Sequence, residues 1–135
     1  MIHRVLKIGD WVVDFLFARE KYDVEGVLSC LYDIDAPEHT MRRAYRIMTS
    51  GRYNRGFTYA NSDMHRALLV VGPTTSGKQF ANTFSHEVDH LSDFISASYG
   101  LDDDNEATAY LTGDTTMALM EVVCELGCEH CNPDL

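Results

Sequence analysis

SGKQFANTFSHEVDHLSDFISASYG, residues 76–100, decides how the rest of the chain is read. Phe80, Phe84, Val88, Leu91 and Ile95 recur at helical spacing, which predicts a single amphipathic helix. On that helix His86 and His90 stand at i and i+4, one above the other, where they can converge on one ion. Glu87 neighbours His86 and is placed to reach a water at that ion rather than the ion itself. This is the mechanical content of the pattern H-E-x-x-H: two imidazole ligands for Zn2+ and one carboxylate general base. The plainer reading of the same residues is a polar helix face with solvated histidines.

A length of 135 residues predicts one domain with one core. Hydrophobic content of 45% and charged content of 24% are ordinary for a globular protein. The formal net charge is −10, from 21 acidic and 11 basic residues, which argues against nucleic acid and anionic membranes as partners. No apolar run reaches ~18 residues, the length needed to cross a bilayer. The opening MIHRVLKIGDW lacks the unbroken apolar core of a secretion signal, so a cytoplasmic, reducing compartment is expected. In such a compartment the four cysteines are thiols or metal ligands rather than a disulfide framework. Oligomeric state has no signature in the chain.

In chain order, 2–8 and 11–18 predict a β-hairpin about Gly9-Asp10. Residues 26–34 (GVLSCLYDI) predict a third strand. Asp35-Ala36-Pro37-Glu38 resembles a helix start with Asp35 as N-cap. That helix carries Met41, Ala44, Tyr45 and Met48 on its apolar face, with Arg42, Arg43 and Arg46 opposite, and ends near Ser50-Gly51. Residues 56–60 and 67–71 predict two more strands about the turn Asn61-Ser62-Asp63, the second the more buried. After the central helix, 100–105 (GLDDDN) form a tight acidic connection. A last helix runs from Glu106 to about Gly127, interruptible near Thr112-Gly113-Asp114, with Met117, Met120, Val123 and Cys124 as its face. The order predicts an α+β fold with a small mixed or mostly antiparallel sheet.

GPTTSGKQ, from Gly72 through Lys78 to Gln79, nearly matches the phosphate loop G-x-x-x-x-G-K-[S/T] and sits between a strand and a helix. Position 79 is Gln, without the hydroxyl that holds Mg2+. The residues that follow supply none of the parallel βα units of a nucleotide-binding sheet. Ser76 as N-cap with Gln79 three residues on explains SGKQ as a capping box. Nucleotide binding therefore stands as a minor alternative.

Catalytic zinc keeps three protein ligands and one open position, so a third ligand must come from elsewhere. Glu106, in NEATA, is the leading candidate. Asp102, Asp103 and Asp104 are rivals, their other reading being a solvated acidic turn. Asp93, three residues beyond His90, can orient an imidazole or simply face water. Tyr110 can steady an oxyanion or serve as an ordinary core or surface tyrosine.

HEVDH followed by NEATA resembles the gluzincin branch of the zincin metallopeptidases, whose thermolysin-like members carry HExxH and then an Asn-Glu-Ala third-ligand motif on a following helix. The resemblance covers about 67–111. It implies that His86, His90 and Glu106 bind zinc, that Glu87 activates water, and that a peptide or protein substrate lies extended along a sheet edge near 68–71. Two departures stand out. Tyr110 occupies the place of an orienting Asp, and the loop between ligand helices is shorter. The large second domain is also missing, which matches minimal zincins among small proteins of bacteria and their phages.

Cys124, Cys128 and Cys131 form C-x3-C-x-x-C, which can clip a second metal or remain plain thiols. The leading expectation is a zinc-dependent metallopeptidase. The alternatives are a metal-holding zincin scaffold that cleaves nothing and the nucleotide-binding reading above.

Overall fold

Gly9, at φ +61°, turns the chain between two strands, Ile2–Ile8 (β1) and Trp11–Phe17 (β2), paired antiparallel from Ile8↔Trp11 to Ile2↔Phe17. Positive φ at the first of two turn residues only is the pattern of a type II′ turn, which calls for Gly first; the Gly-Asp order is thereby explained. The computed structural model describes residues 1–100 and 105–118, with backbone alone at 105–108, 110 and 118. Strand Gly56–Asn61 (β3) pairs antiparallel with Arg66–Val71 (β4). The turn between them is tightened by Asn61 Oδ1, which accepts from the N–H groups of Asp63 and Met64 at 3.1 and 3.2 Å. β2 and β4 pair in parallel, giving one mixed sheet of order β1-β2-β4-β3.

The two central strands are largely apolar on both faces, and both faces are covered; the exception, buried Asp14 of β2, is met by His3 and Arg66. On one, Trp11, Val13, Phe15 and Phe17 join Ala67, Leu69 and Val71 against helix Gly77–Ser98. On the other, Leu16, Phe57, Leu68 and Val70 pack against two shorter helices, Val24–Asp33 (α1) and Glu38–Thr49 (α2). The long helix (α3) buries Phe80, Phe84, Val88, Leu91 and Ile95, the residues its periodicity selects. Each such side chain contributes ~1.5–3 kcal/mol on leaving water. Ser76 caps α3 by accepting from the Gln79 N–H at 3.1 Å. A last helix, Asn105–Ala118 (α4), packs against α3. Among the described residues, four helices and a four-stranded mixed sheet make a small α+β fold.

Several expectations are corrected. Residues 26–33 belong to α1, with Ile34 as its C-cap, not to a strand: Asp23 accepts from the Gly26 N–H at 3.1 Å, and Val24, Val27, Leu28 and Leu31 recur at i, i+3, i+4 and i+7. Asp35 is no N-cap. It adopts φ +57° between the helices, and α2 starts at Pro37 without a side-chain cap. On α2, Ala44 and Met48 are buried while Tyr45 is exposed. Residues 68–71 are interior; the edges of the sheet are β1 and β3, because the parallel β2–β4 pairing places β4 inside. α4 runs through Thr112-Gly113-Asp114 unbroken, and Thr115 is buried where Met117 is 69% exposed. Met120, Val123 and the acidic connection 101–104 lie outside the described residues. Among the described residues, no helix is long and apolar enough to cross a membrane.

Candidate metal centre and the groove beside it

α3 turns its apolar stripe to the sheet, which leaves His86 and His90 exposed on the opposite side. Their Nε2 atoms lie 3.1 Å apart, the rings nearly perpendicular at 86° with centroids 4.6 Å apart. Two nitrogens each ~2.05 Å from one ion at a tetrahedral angle are ~3.3 Å apart, so this separation fits a shared zinc. Without metal, the same distance suits an Nε2–H donated from one imidazole to the other, with the tautomers set oppositely. Either way the pair is brought together by one helical turn.

Among the described residues, no group of three His, Cys, Asp or Glu side chains comes together as a metal site. Glu106 is the second residue of α4, and its side chain, like that of Tyr110, lies outside the described residues. Asp102, Asp103, Asp104, Cys124, Cys128 and Cys131 lie outside them as well. Asp93 is exposed on α3, and no hydrogen bond links it to either imidazole.

Glu87 is rotated toward the sheet and only 4% exposed. Its Oε1 accepts from the Thr58 hydroxyl of β3 at 3.0 Å. A buried carboxyl group needs such a partner. The contact depends on how closely β3 crosses α3. A Cβ on Gly56 would stand 2.6 Å from the Val70 carbonyl oxygen, 3.1 Å from Glu87 Cγ and 3.2 Å from Thr83 Cγ2. Thr83 in turn donates to the Asn54 carbonyl at 3.3 Å, tying α3 to the segment that leads into β3.

A groove of about 610 Å³ runs beside β3, bounded by α3 and α2. His86, Glu87 and His90 line it from α3, Gly56 and Thr58 from β3, and Arg43 and Ile47 from α2, with Arg55 at its end. Gly72 N–H donates to the Arg55 carbonyl at 2.8 Å, so 55 and 72 form a hydrogen-bonded pair. By antiparallel alternation, the N–H and C=O groups of Gly56, Thr58 and Ala60 then point to the free edge.

The loop before α3 is tied to the same segment. Asn54, at φ +61°, accepts from the Thr75 N–H at 2.9 Å through Oδ1 and donates its own N–H to the Pro73 carbonyl at 2.9 Å. With Gly72 bonded to Arg55, two N–H groups of the phosphate-loop-like stretch are engaged inward. The Tyr22 phenol lies over Gly72 and donates to the Arg55 carbonyl at 3.3 Å; burial pushes it up to about 12.

Thr58, Gly56, Arg43 and Arg55 are lining residues that the sequence reading did not single out. Thr58 has no local signal, since its partner is 29 residues away. The arginines were visible as charge, and their place beside the histidines follows only from the fold. No protein-family model, curated protein or solved structure matches this chain.

Proposed function

We propose that this chain is a zinc-dependent metallopeptidase, a minimal zincin-like α+β domain that hydrolyses peptide bonds of a peptide or protein substrate. The carrying observation is the 3.1 Å Nε2–Nε2 separation of His86 and His90 in the same groove as the buried Glu87. In this reading His86 and His90 hold the metal and Glu106 is the third ligand. Zinc held there supplies a Lewis acid that polarises a carbonyl and acidifies water. Glu87 is the base that takes a proton from the attacking water and passes it to the leaving amine as the C–N bond breaks. Thr58 positions that carboxyl group through its hydroxyl. The outward backbone groups of Gly56, Thr58 and Ala60 offer an extended peptide a strand to pair with, which supports a peptide over a compact substrate.

The test is zinc content of the purified protein together with hydrolysis of an unfolded protein substrate. About one zinc per chain is expected, lost in His86→Ala/His90→Ala. Glu87→Gln should keep the zinc and lower hydrolysis by ~10²-fold or more. Absence of zinc from the native protein would overturn the reading. Zinc retained with no hydrolysis, before or after Glu87→Gln, would leave the metal-holding scaffold that cleaves nothing.

A further inference from the structure

Charge is unevenly distributed along this chain. Between residues 39 and 62 there are five arginines, Arg42, Arg43, Arg46, Arg52 and Arg55, and no Asp or Glu, in a chain of net charge −10. Folding delivers two of them, Arg43 from α2 and Arg55 ahead of β3, to the lining of the groove that holds His86, Glu87 and His90. Both are exposed. Arg42 is engaged with Glu38, and Arg66 with Asp14, whereas no ion pair engages Arg43 or Arg55 among the described residues. Among the described residues, one carboxyl group lines the groove, that of Glu87, and it is buried and taken by Thr58. Among the described residues the groove thus presents two guanidinium groups with no acidic ion-pair partner, on a chain whose remaining sequence is strongly acidic.

We propose that the groove selects acidic peptides, with Arg43 and Arg55 as the groups that receive substrate carboxylates. The inference rests on the peptidase reading for the fate of the peptide, and on charge and geometry alone for its binding. Guanidinium groups match carboxylates in a planar, two-point geometry that an ammonium group lacks. The acidic remainder of the chain repels an anionic peptide, so attraction is confined to the groove and its rim. A peptide is favoured over a nucleic acid because the groove also offers the unpaired backbone edge of β3.

The experiment measures binding of three fluorescent decapeptides to the zinc-supplemented full chain carrying Glu87→Gln, which separates binding from cleavage. The peptides share an Ala/Gly backbone and carry four Glu, four Gln or four Lys. The Glu peptide is expected to bind about tenfold tighter than the Gln peptide, with the Lys peptide weakest. The Glu preference should shrink as salt rises. Arg43→Gln/Arg55→Gln should abolish it, while Lys7→Gln/Lys21→Gln, with the same change in net charge, should keep it. Equal binding of the Glu and Gln peptides, or a preference that survives Arg43→Gln/Arg55→Gln, would overturn the proposal. So would a single-stranded oligonucleotide that displaces the Glu peptide and binds more tightly. Zinc content and hydrolysis report separately on the peptidase reading: an Arg-dependent preference without zinc or cleavage keeps this inference and removes that one, and cleavage without charge preference does the reverse.

Discussion

Gly56→Ala tests the close crossing on which the candidate site depends. The added Cβ would stand 2.6 Å from the Val70 carbonyl oxygen, where ordinary contact begins near 3.4 Å, a shortfall of about 0.8 Å. Val70 belongs to β4, an interior strand packed on both faces, so that oxygen cannot yield alone. Glu87 Cγ and Thr83 Cγ2, at 3.1 and 3.2 Å, block movement toward α3. The start of β3 must therefore lift outward, an overpacking cost of ~1–3 kcal/mol. Loss of glycine's freedom in the unfolded chain offsets ~0.4–1 kcal/mol of this, leaving about 1–2 kcal/mol. For a domain of this size the melting temperature should fall by about 3–8 °C. Thermal unfolding followed by circular dichroism reads this directly. Gly113→Ala is the control: nothing lies within 4 Å of its Cβ, and Ala in a helix interior should raise stability by ~0.5–1 kcal/mol. A Gly56→Ala protein as stable as the parent would refute the crossing geometry.

Two further outcomes are expected. Thr58→Val keeps the shape but removes the donor to Glu87 Oε1, so stability should drop by ~1–3 kcal/mol and hydrolysis should fall with zinc content unchanged; full activity in this variant would show that Glu87 needs no support from β3. Tyr22 has its phenol raised to about 12, so below pH ~10 folded and unfolded chains both keep the proton, and between about 10 and 12 the unfolded chain releases it first. Stability should therefore decline across that window, and less steeply in Tyr22→Phe. Urea midpoints measured from pH 9 to 12 give the comparison, and parallel curves would contradict it.

What the sequence revealed was local. The hairpin and α3 were legible because alternation, helical periodicity, Gly9 and the Ser76 cap act over a few residues. α1 is not legible as a helix because a mostly apolar stretch of nine residues, 26–34, suits a buried strand as well as a short helix. The deciding cap, Asp23, precedes that stretch by three residues. The identity of the edge strand was not legible, since it depends on β2 choosing β4 rather than β3 as its partner. Within the candidate site, the His86–His90 pair followed from i, i+4 spacing alone. The Thr58 support and the arginine lining followed only once the sheet had brought distant segments together.

The parallel seam between β2 and β4 joins segments that α1, α2 and β3 separate in the sequence. Such long-range closure is slow compared with forming a turn of helix. The imidazole pair lies within one helix and does not need the seam; the setting of Glu87 does, because Thr58 reaches it only from the finished sheet. During maturation the two imidazoles therefore come together before the carboxyl group is set in place beside them.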